Sequence, residues 1–382
     1  MSFNFFKIFC LVFFFHSCQN AVEIKKATDF KRNKNGGVKY AKRFAISEQG
    51  QYLIVYIFGN RNTSDTTTTF VLLRDSSLKN LPKANYTIKI PCKKVAALSS
   101  IYATIFYELG VLETLAAIDN IDYVNNKAII EKHKRGQLKE LAKMPQIDLE
   151  QTVVLSPDII FTFGMGDGAK DLDKKLQQSR MPVAVSIDHL EESPLARAEW
   201  IKFFAAFVDK KELADSIFDG VEKNYNELKK IASSVINRPT VFNEIKYSDS
   251  WYMPGGKSFM AQLLNDAGAD YLWKGDYSPG SLPLSFEQVY AKAKDADFWI
   301  NLSAVNTKNE LLAFESRYAE FSAFKKGNLY NNTKVTNDKG YSIYWETGMI
   351  YPNRILNDLI CIFHPELNQS LNKQLYYYRR VE

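Results

Sequence analysis

The stretch Leu149–Phe161, LEQTVVLSPDIIF, constrains the fold more than any other, because the chain uses it twice. Leu149 to Leu155 has the length and apolar content of a short helix. Pro157 ends it, since proline lacks a backbone N–H and disfavours helix at the residue before it. Asp158 then leads into Ile159-Ile160-Phe161, an apolar run suited to a strand buried on both faces. At Phe286–Ile300 the chain reads FEQVYAKAKDADFWI. Here Glu287-Gln288 stands for Glu150-Gln151, and Asp297 with Phe298-Trp299-Ile300 stands for Asp158 and its apolar run. A repeat so widely spaced is not a solenoid, whose period is roughly 20–50 residues. It predicts two similar α/β lobes, with a ligand cleft between them.

The 382-residue length fits two domains of ordinary size. The net charge of +6 is not gathered into a stripe, which argues against a nucleic-acid partner. Residues 1–17 read as a signal peptide. Lys7 supplies the positive end, and Ile8–Phe15 is apolar but shorter than the roughly 20 residues that span a bilayer. Cys18 follows Phe15-His16-Ser17, an approximate lipobox, so Cys18 is expected to carry a lipid. Residues 18–39, rich in Lys and Asn, form a tether for that anchor. The expected place of the mature protein is the periplasm or cell envelope, held to a bacterial membrane. Of four cysteines, Cys92 and Cys361 lie beyond the leader, either as a disulfide or as two buried thiols.

Residues 40–92 read as a β segment, from the aromatic and β-branched runs at 52–58 and 66–73. Lobe one is expected over 93–194, a linking helix over 195–237 and lobe two over 238–382. The fold class is α/β, with central, mainly parallel sheets, because strands alternate with helical segments in both halves. The linking region carries Trp200, Phe203, Phe204 and Phe207 at helical spacing. The sequence YSDSWYMPGG at 247–256 reads as a loop.

Gly164-Met165-Gly166-Asp167-Gly168-Ala169 satisfies the dinucleotide fingerprint. It does not follow the first strand of the sheet, however, and an exported chain has no access to NAD. The histidines are scattered and no HExxH occurs, so no metal site is expected. No nucleophile elbow is present either. No catalytic residue and no cofactor is assigned, and the chain reads as a non-enzyme. Ligands of α/β sheets bind beyond the carboxyl ends of strands. On that ground Tyr102, Met165, Trp251, Tyr252, Lys274, Tyr277, Trp345 and Glu346 are the expected cleft residues. Lys143, Lys257, Lys274 and Lys339 near the cleft loops would favour an anionic siderophore, while Trp251 and Trp345 would equally suit a corrin or haem.

Four stretches in order complete a pattern: VAALSSIYATIFYELG at 95–110, IDLEQTVVLSPDIIF at 147–161, WYMPGGKSFMAQLLNDAGADYL at 251–272 and LSFEQV at 284–289. With them the chain resembles the periplasmic binding proteins of iron–siderophore, haem and vitamin B12 ABC importers. The resemblance implies two lobes joined by one long helix and a monomer that moves little on binding. It implies capture of an iron–siderophore, haem or corrinoid and delivery to an ABC transporter permease. It also implies that Glu150 and Glu287 dock onto that permease, one per lobe. Lys294 departs from the pattern, which has a proline before the second-lobe strand. Two other readings stand beside this one. One is a lipid-anchored enzyme using the Gly164 turn for a nucleotide. The other is an extracytoplasmic sensor lobe of the same fold, which should lack the paired glutamates.

Overall fold

A computed structural model of the chain describes residues 37–59, 66–143, 146–167, 171, 174–371 and 374–382. The leader, Cys18 and most of the tether lie outside the described residues. The N-terminal segment is a sheet of β1 (Phe44–Glu48), β2 (Tyr52–Phe58), β3 (Thr66–Leu73) and β4 (Tyr86–Lys89), in that order. Alternation in β2 turns Leu53, Val55 and Ile57 inward.

Lobe one contains β5 (Val95–Ala97), α1 (Ser100–Glu108), β6 (Leu115–Ile118), α2 (Lys127–Lys134) and β7 (Lys139–Glu140). A short hairpin comes next, β8 (Ala142–Lys143) and β9 (Gln146–Ile147). Then come α3 (Leu149–Leu155), β10 (Ile159–Phe163), α4 (Lys174–Gln178) and β11 (Val183–Ser186). The sheet order is β11-β10-β5-β6-β7, with every pair parallel. The expected linking helix is realised as α5 (Pro194–Ala198), α6 (Trp200–Phe207) and the 22-residue α7 (Lys211–Ala232).

Lobe two begins with β12 (Thr240–Asn243), β13 (Lys246–Tyr247), β14 (Ser250–Pro254), α8 (Phe259–Asp266), β15 (Asp270–Tyr271) and β16 (Ser281–Leu284). It continues through α9 (Phe286–Ala293), β17 (Phe298–Ile300), α10 (Lys308–Phe314), α11 (Ser322–Lys326) and β18 (Leu329–Asn331). It ends with α12 (Ile343–Thr347), α13 (Pro352–Phe363) and β19 (Arg379–Arg380). Its sheet runs β15-β12-β17-β18-β19, with only the last pair antiparallel.

The repeated phrase does the same work in both lobes. Asp148 caps α3 by accepting the Gln151 N–H, and Ser285 caps α9 by accepting the Gln288 N–H. The Gln288 side chain returns to the Ser285 N–H and completes a capping box. The aspartate before the next strand then holds the head of the lobe's first strand. Asp158 accepts the N–H groups of Lys93 and Lys94, just ahead of β5. Asp297 accepts the N–H and hydroxyl of Thr240, which opens β12.

The N-terminal sheet shares the core of lobe one. Phe44 packs on Trp200 with ring centroids 5.0 Å apart, and Phe70 meets Phe207 at 5.2 Å. Two buried glutamates fix its entry. Glu199 accepts the N–H groups of Lys39, Tyr40 and Ala41. Glu191 accepts those of Lys42 and Arg43, and the Trp200 indole N–H. Cys92 and Cys361 are both buried free thiols, so the second of the two cysteine alternatives holds.

Burial pushes the Glu191 carboxyl up to about 7 from its usual 4.5, against the pull of its hydrogen bonds. A carboxyl raised on folding contributes stability that is full below the unfolded pKa and is lost as pH rises through the folded one. Glu191→Gln removes this dependence and keeps an acceptor. Urea unfolding at pH 5 and pH 8 should show the wild type losing more stability than the variant over that interval. The difference is up to about 3 kcal/mol for a shift of this size. Equal losses would show that Glu191 does not titrate there.

Candidate functional site

Each sheet changes direction of winding once. In lobe one the change falls between β5 and β10, in lobe two between β12 and β17. Crevices at such points, beyond the carboxyl ends of the strands, are the usual ligand sites of open α/β sheets. In lobe one they open at Ser99, after β5, and at Gly164, after β10. In lobe two they open at Glu244 and Asn301, which directly follow β12 and β17. Both hold left-handed backbone, with φ of 65° and 59°. Strained residues of this kind gather at functional sites.

The lobe-two end of this crevice is polar and under-satisfied. Both amide atoms of Asn243 and the Asn301 amide nitrogen are buried without hydrogen-bond partners among the described residues. The Asn301 oxygen accepts the Tyr378 hydroxyl at 2.7 Å and the Asn332 amide at 3.3 Å. Burial pushes the Glu244 carboxyl up to about 8. From the other side, Arg197 on α5 donates to Asp188 at 2.9 Å and lies over the Phe259 ring of lobe two at 4.5 Å. Burial pushes the Tyr344 hydroxyl well up from its ordinary value; Arg197 favours its ionised form and Glu244 opposes it.

A pocket of about 210 Å³ opens between the lobes. Ser99, Ser100 and Asp119, beyond β5 and β6, form one wall together with Tyr123. Tyr341 and Trp345 of lobe two form the other. The Tyr123 and Tyr341 rings meet edge to face at 4.6 Å. The Oδ1 atom of Asp119 is buried without a partner among the described residues, and burial pushes this carboxyl up to about 6.

Of the residues expected from sequence, Trp345 lines this pocket and is half exposed. Met165 is exposed just past β10. Tyr252 and Tyr277 are exposed, and Lys274 pairs with Asp270 four residues back. None of these four is among the residues lining the pocket.

Three expectations are corrected. Trp251 is 0% exposed, among Phe242, Phe286, Trp299 and Tyr318, and its indole N–H donates to the Asn243 carbonyl. The supposed loop is the hairpin β13–β14, paired onward to β16, so strand alternation turns Trp251 and Met253 inward and Tyr252 out. Tyr102 is also buried; its ring packs on Phe204 and its hydroxyl donates to Asp188. Glu346 is 1% exposed. Its carboxylate accepts the Thr104 hydroxyl at 2.7 Å and the N–H groups of Asn125 and Asn126 at 2.6 and 3.1 Å. All three donors belong to lobe one, so Glu346 clasps the lobes together. Asn337 adds to the clasp by donating to the carbonyls of Asp122 and Val124.

Glu150 and Glu287 occupy the first turns of α3 and α9, both exposed. Glu287 also pairs with exposed Arg317 at 3.1 Å. Sequence reasoning missed Asp119, Tyr123, Tyr341, Arg197 and Glu244. The available signal was position: Asp119 and Glu244 are the first residues after two strands, where an acidic side chain has no packing reason to stand.

The glycine turn closes on itself. The N–H groups of Met165 and Asp167, which a phosphate would need, are taken by the Asp171 carboxylate at 2.7 and 2.9 Å. A Cβ on Gly164 would lie 2.4 Å from Val185, so close approach alone accounts for that glycine. Gly168 and Ala169 lie outside the described residues. Among the described residues no cluster of three His, Cys, Asp or Glu side chains is placed to hold a metal. Nor, among them, is any helix long and apolar enough to cross a membrane.

Comparison with solved structures places the fold. A possible iron-binding, periplasmic solute-binding protein of Staphylococcus epidermidis superposes with a TM-score of 0.54 at 16% identity, over 72% of this chain and 99% of that one. The vitamin B12-binding protein of Vibrio cholerae gives 0.53 at 14% identity, over 73% and 99%. A periplasmic haem-binding protein of Roseiflexus gives 0.55 at 17%, over 72% and 99%. Two lipoproteins of Methanocaldococcus jannaschii are similar in sequence. One is 27% identical over 244 residues, which are 63% of this chain but only 55% of that relative. The other is 26% identical over 360 residues, 90% of this chain and 86% of the relative. The family model described as periplasmic binding protein matches residues 95–335, from β5 past β18. With the whole lobe-one sheet and all of the lobe-two sheet but its last strand, β19, inside the matched span, the chain belongs to the periplasmic binding protein family.

Proposed function

We propose that this protein captures an iron–siderophore, haem or corrinoid between its lobes, outside the cytoplasmic membrane, and delivers it to an ABC importer permease. The observation that carries the reading is the aromatic and polar pocket where residues of both lobes meet at the carboxyl ends of β5 and β6. Family membership supports solute binding, and the ligands of the structural neighbours supply the chelate classes. The nucleotide-enzyme reading loses its motif, because Asp171 occupies the N–H groups of the glycine turn. Purified protein should bind one of a ferric siderophore, haem or cobalamin saturably in a fluorescence titration and fail to bind NAD. Mass spectrometry of co-purifying small molecules should find the same class. Binding of NAD alone would overturn the proposal.

Docking would use Glu150 and Glu287. Helices that cross between parallel strands run back along the sheet. The first turns of α3 and α9 therefore lie toward the carboxyl edge of their sheets, where the clefts open. Such exposed carboxylates orient a partner more than they stabilise the fold. Glu150→Arg with Glu287→Arg should abolish uptake while leaving solute affinity and Tm nearly unchanged. Normal transport by the double variant would refute docking. Charge reversal at position 287 also removes the Arg317 pair, an exposed contact that solvent screens and that adds little to stability.

Cys18 would carry the lipid that keeps the protein at the membrane. Cys18→Ala should move it from the membrane fraction to the soluble fraction, or arrest its processing. Unchanged fractionation and processing would exclude lipidation at this residue.

A further inference from the structure

The inter-lobe pocket has a definite electrostatic character. Among its lining residues Asp119 is the single ionisable acid, and no Lys, Arg or His is present. Tyr123, Tyr341 and Trp345 stand around the same space, with Tyr341 43% and Trp345 50% exposed toward it and solvent. Aromatic faces carry negative potential and attract cations, most strongly where water is excluded. The Asp119 Oδ1 atom, buried and unpartnered among the described residues, lacks the positive group or donor that ordinarily offsets such a position. The start of α1 opposes this trend, since a helix N-terminus favours anions through a charge of roughly +0.5. One of its N–H groups is already answered by the Ser99 hydroxyl, which accepts from Ile101. A full carboxylate charge and three rings outweigh what remains.

Size narrows the occupant. About 210 Å³ is below the roughly 300–1,000 Å³ of sites that enclose a whole small molecule. It suits a head group whose remainder lies along the open cleft. We infer that Asp119, Tyr123, Tyr341 and Trp345 form a cation box that receives a primary or methylated ammonium group of the captured solute. This rests on the reading that solute binds between the lobes, and it deepens that reading. The charge it selects is opposite to the anionic chelate that the lysines near the cleft would favour. Lys274 is already matched by Asp270, whereas the Asp119 Oδ1 atom has no partner among the described residues.

The probe is tetramethylammonium chloride, titrated into the full chain while the heat of binding is read, with sodium chloride at equal concentration as reference. A saturable change specific to tetramethylammonium is expected. Its half-saturation should rise about tenfold in Asp119→Asn and in Trp345→Ala, within the range of a desolvated cation–aromatic contact. Trp345→Ala truncates a half-exposed ring, and Asp119→Asn keeps an oxygen to accept the backbone N–H groups that reach this carboxyl, so both variants should keep the wild-type Tm. Tetramethylammonium acting no differently from sodium, or binding both variants like the wild type, overturns the cation box. Parallel titrations with ferric siderophore, haem and cobalamin separate the two claims. A bound chelate without a tetramethylammonium response removes the box and leaves solute capture standing. A tetramethylammonium response without any bound chelate keeps the box and removes the chelate assignment.

Discussion

Two aspartates set the frame on which the rest of the molecule depends. Asp158 and Asp297 each sit at the entry to a strand and hold the head of the neighbouring strand through paired donors. A carboxylate with two such donors is a charge-assisted contact, stronger than an ordinary ladder bond. It also fixes register: β10 must start beside β5, and β17 beside β12. Those two pairings are the points where each sheet reverses its winding. The residues at the far ends of these strands are therefore placed by the near ends. Ser99 and Gly164 emerge side by side in lobe one, and Glu244 and Asn301 in lobe two.

This explains why the fold was legible in the sequence and the site much less so. The repeat carries its own physics: a capped first turn, a proline or short link, an aspartate and an apolar strand. Each part is local, so each can be read from neighbouring residues, and the two lobes emerge from them. The cleft assignments required knowing which way a side chain points. Trp251 illustrates the failure. Ser, Asp, Pro and Gly around it spell a loop, yet a hairpin forms, and alternation sends the indole into the aromatic core with Trp299 and Phe242. Glu346 illustrates another. Its sequence neighbours say nothing of Thr104, Asn125 and Asn126, which come from the other lobe. Trp345, beside it, does line the inter-lobe pocket, because it projects from the exposed side of the short helix α12.

The lobes are joined by more than the linking helices. Glu346 and Asn337 reach from lobe two to the segment 122–126 of lobe one, and the Tyr351 hydroxyl donates to Glu108 at 2.5 Å. Because the Glu346 carboxylate is buried, its three donors must stay in place or the charge is stranded. An interface locked in this way resists large hinge motion. A solute would then be received by small adjustments of exposed aromatic rings such as Trp345 and Tyr341, with the lobes keeping their mutual orientation.

Carboxyl groups withdrawn from water differ in how many donors the fold gives them. Glu191, Glu199, Glu346 and Asp358 each accept several backbone N–H groups. They tie the N-terminal sheet to lobe one, lobe two to lobe one, and the chain end to α13. Their oxygens are used up by the fold. Asp119 and Glu244 are different. Burial alone raises the Glu244 carboxyl, whereas burial raises Asp119 against the pull of the Asp119 and Asn120 N–H groups, and both stand immediately past a strand of a central sheet. In the proposed reading Asp119 belongs to the pocket where the lobes meet. A positive charge on a solute there would offset the desolvation that raises the Asp119 carboxyl.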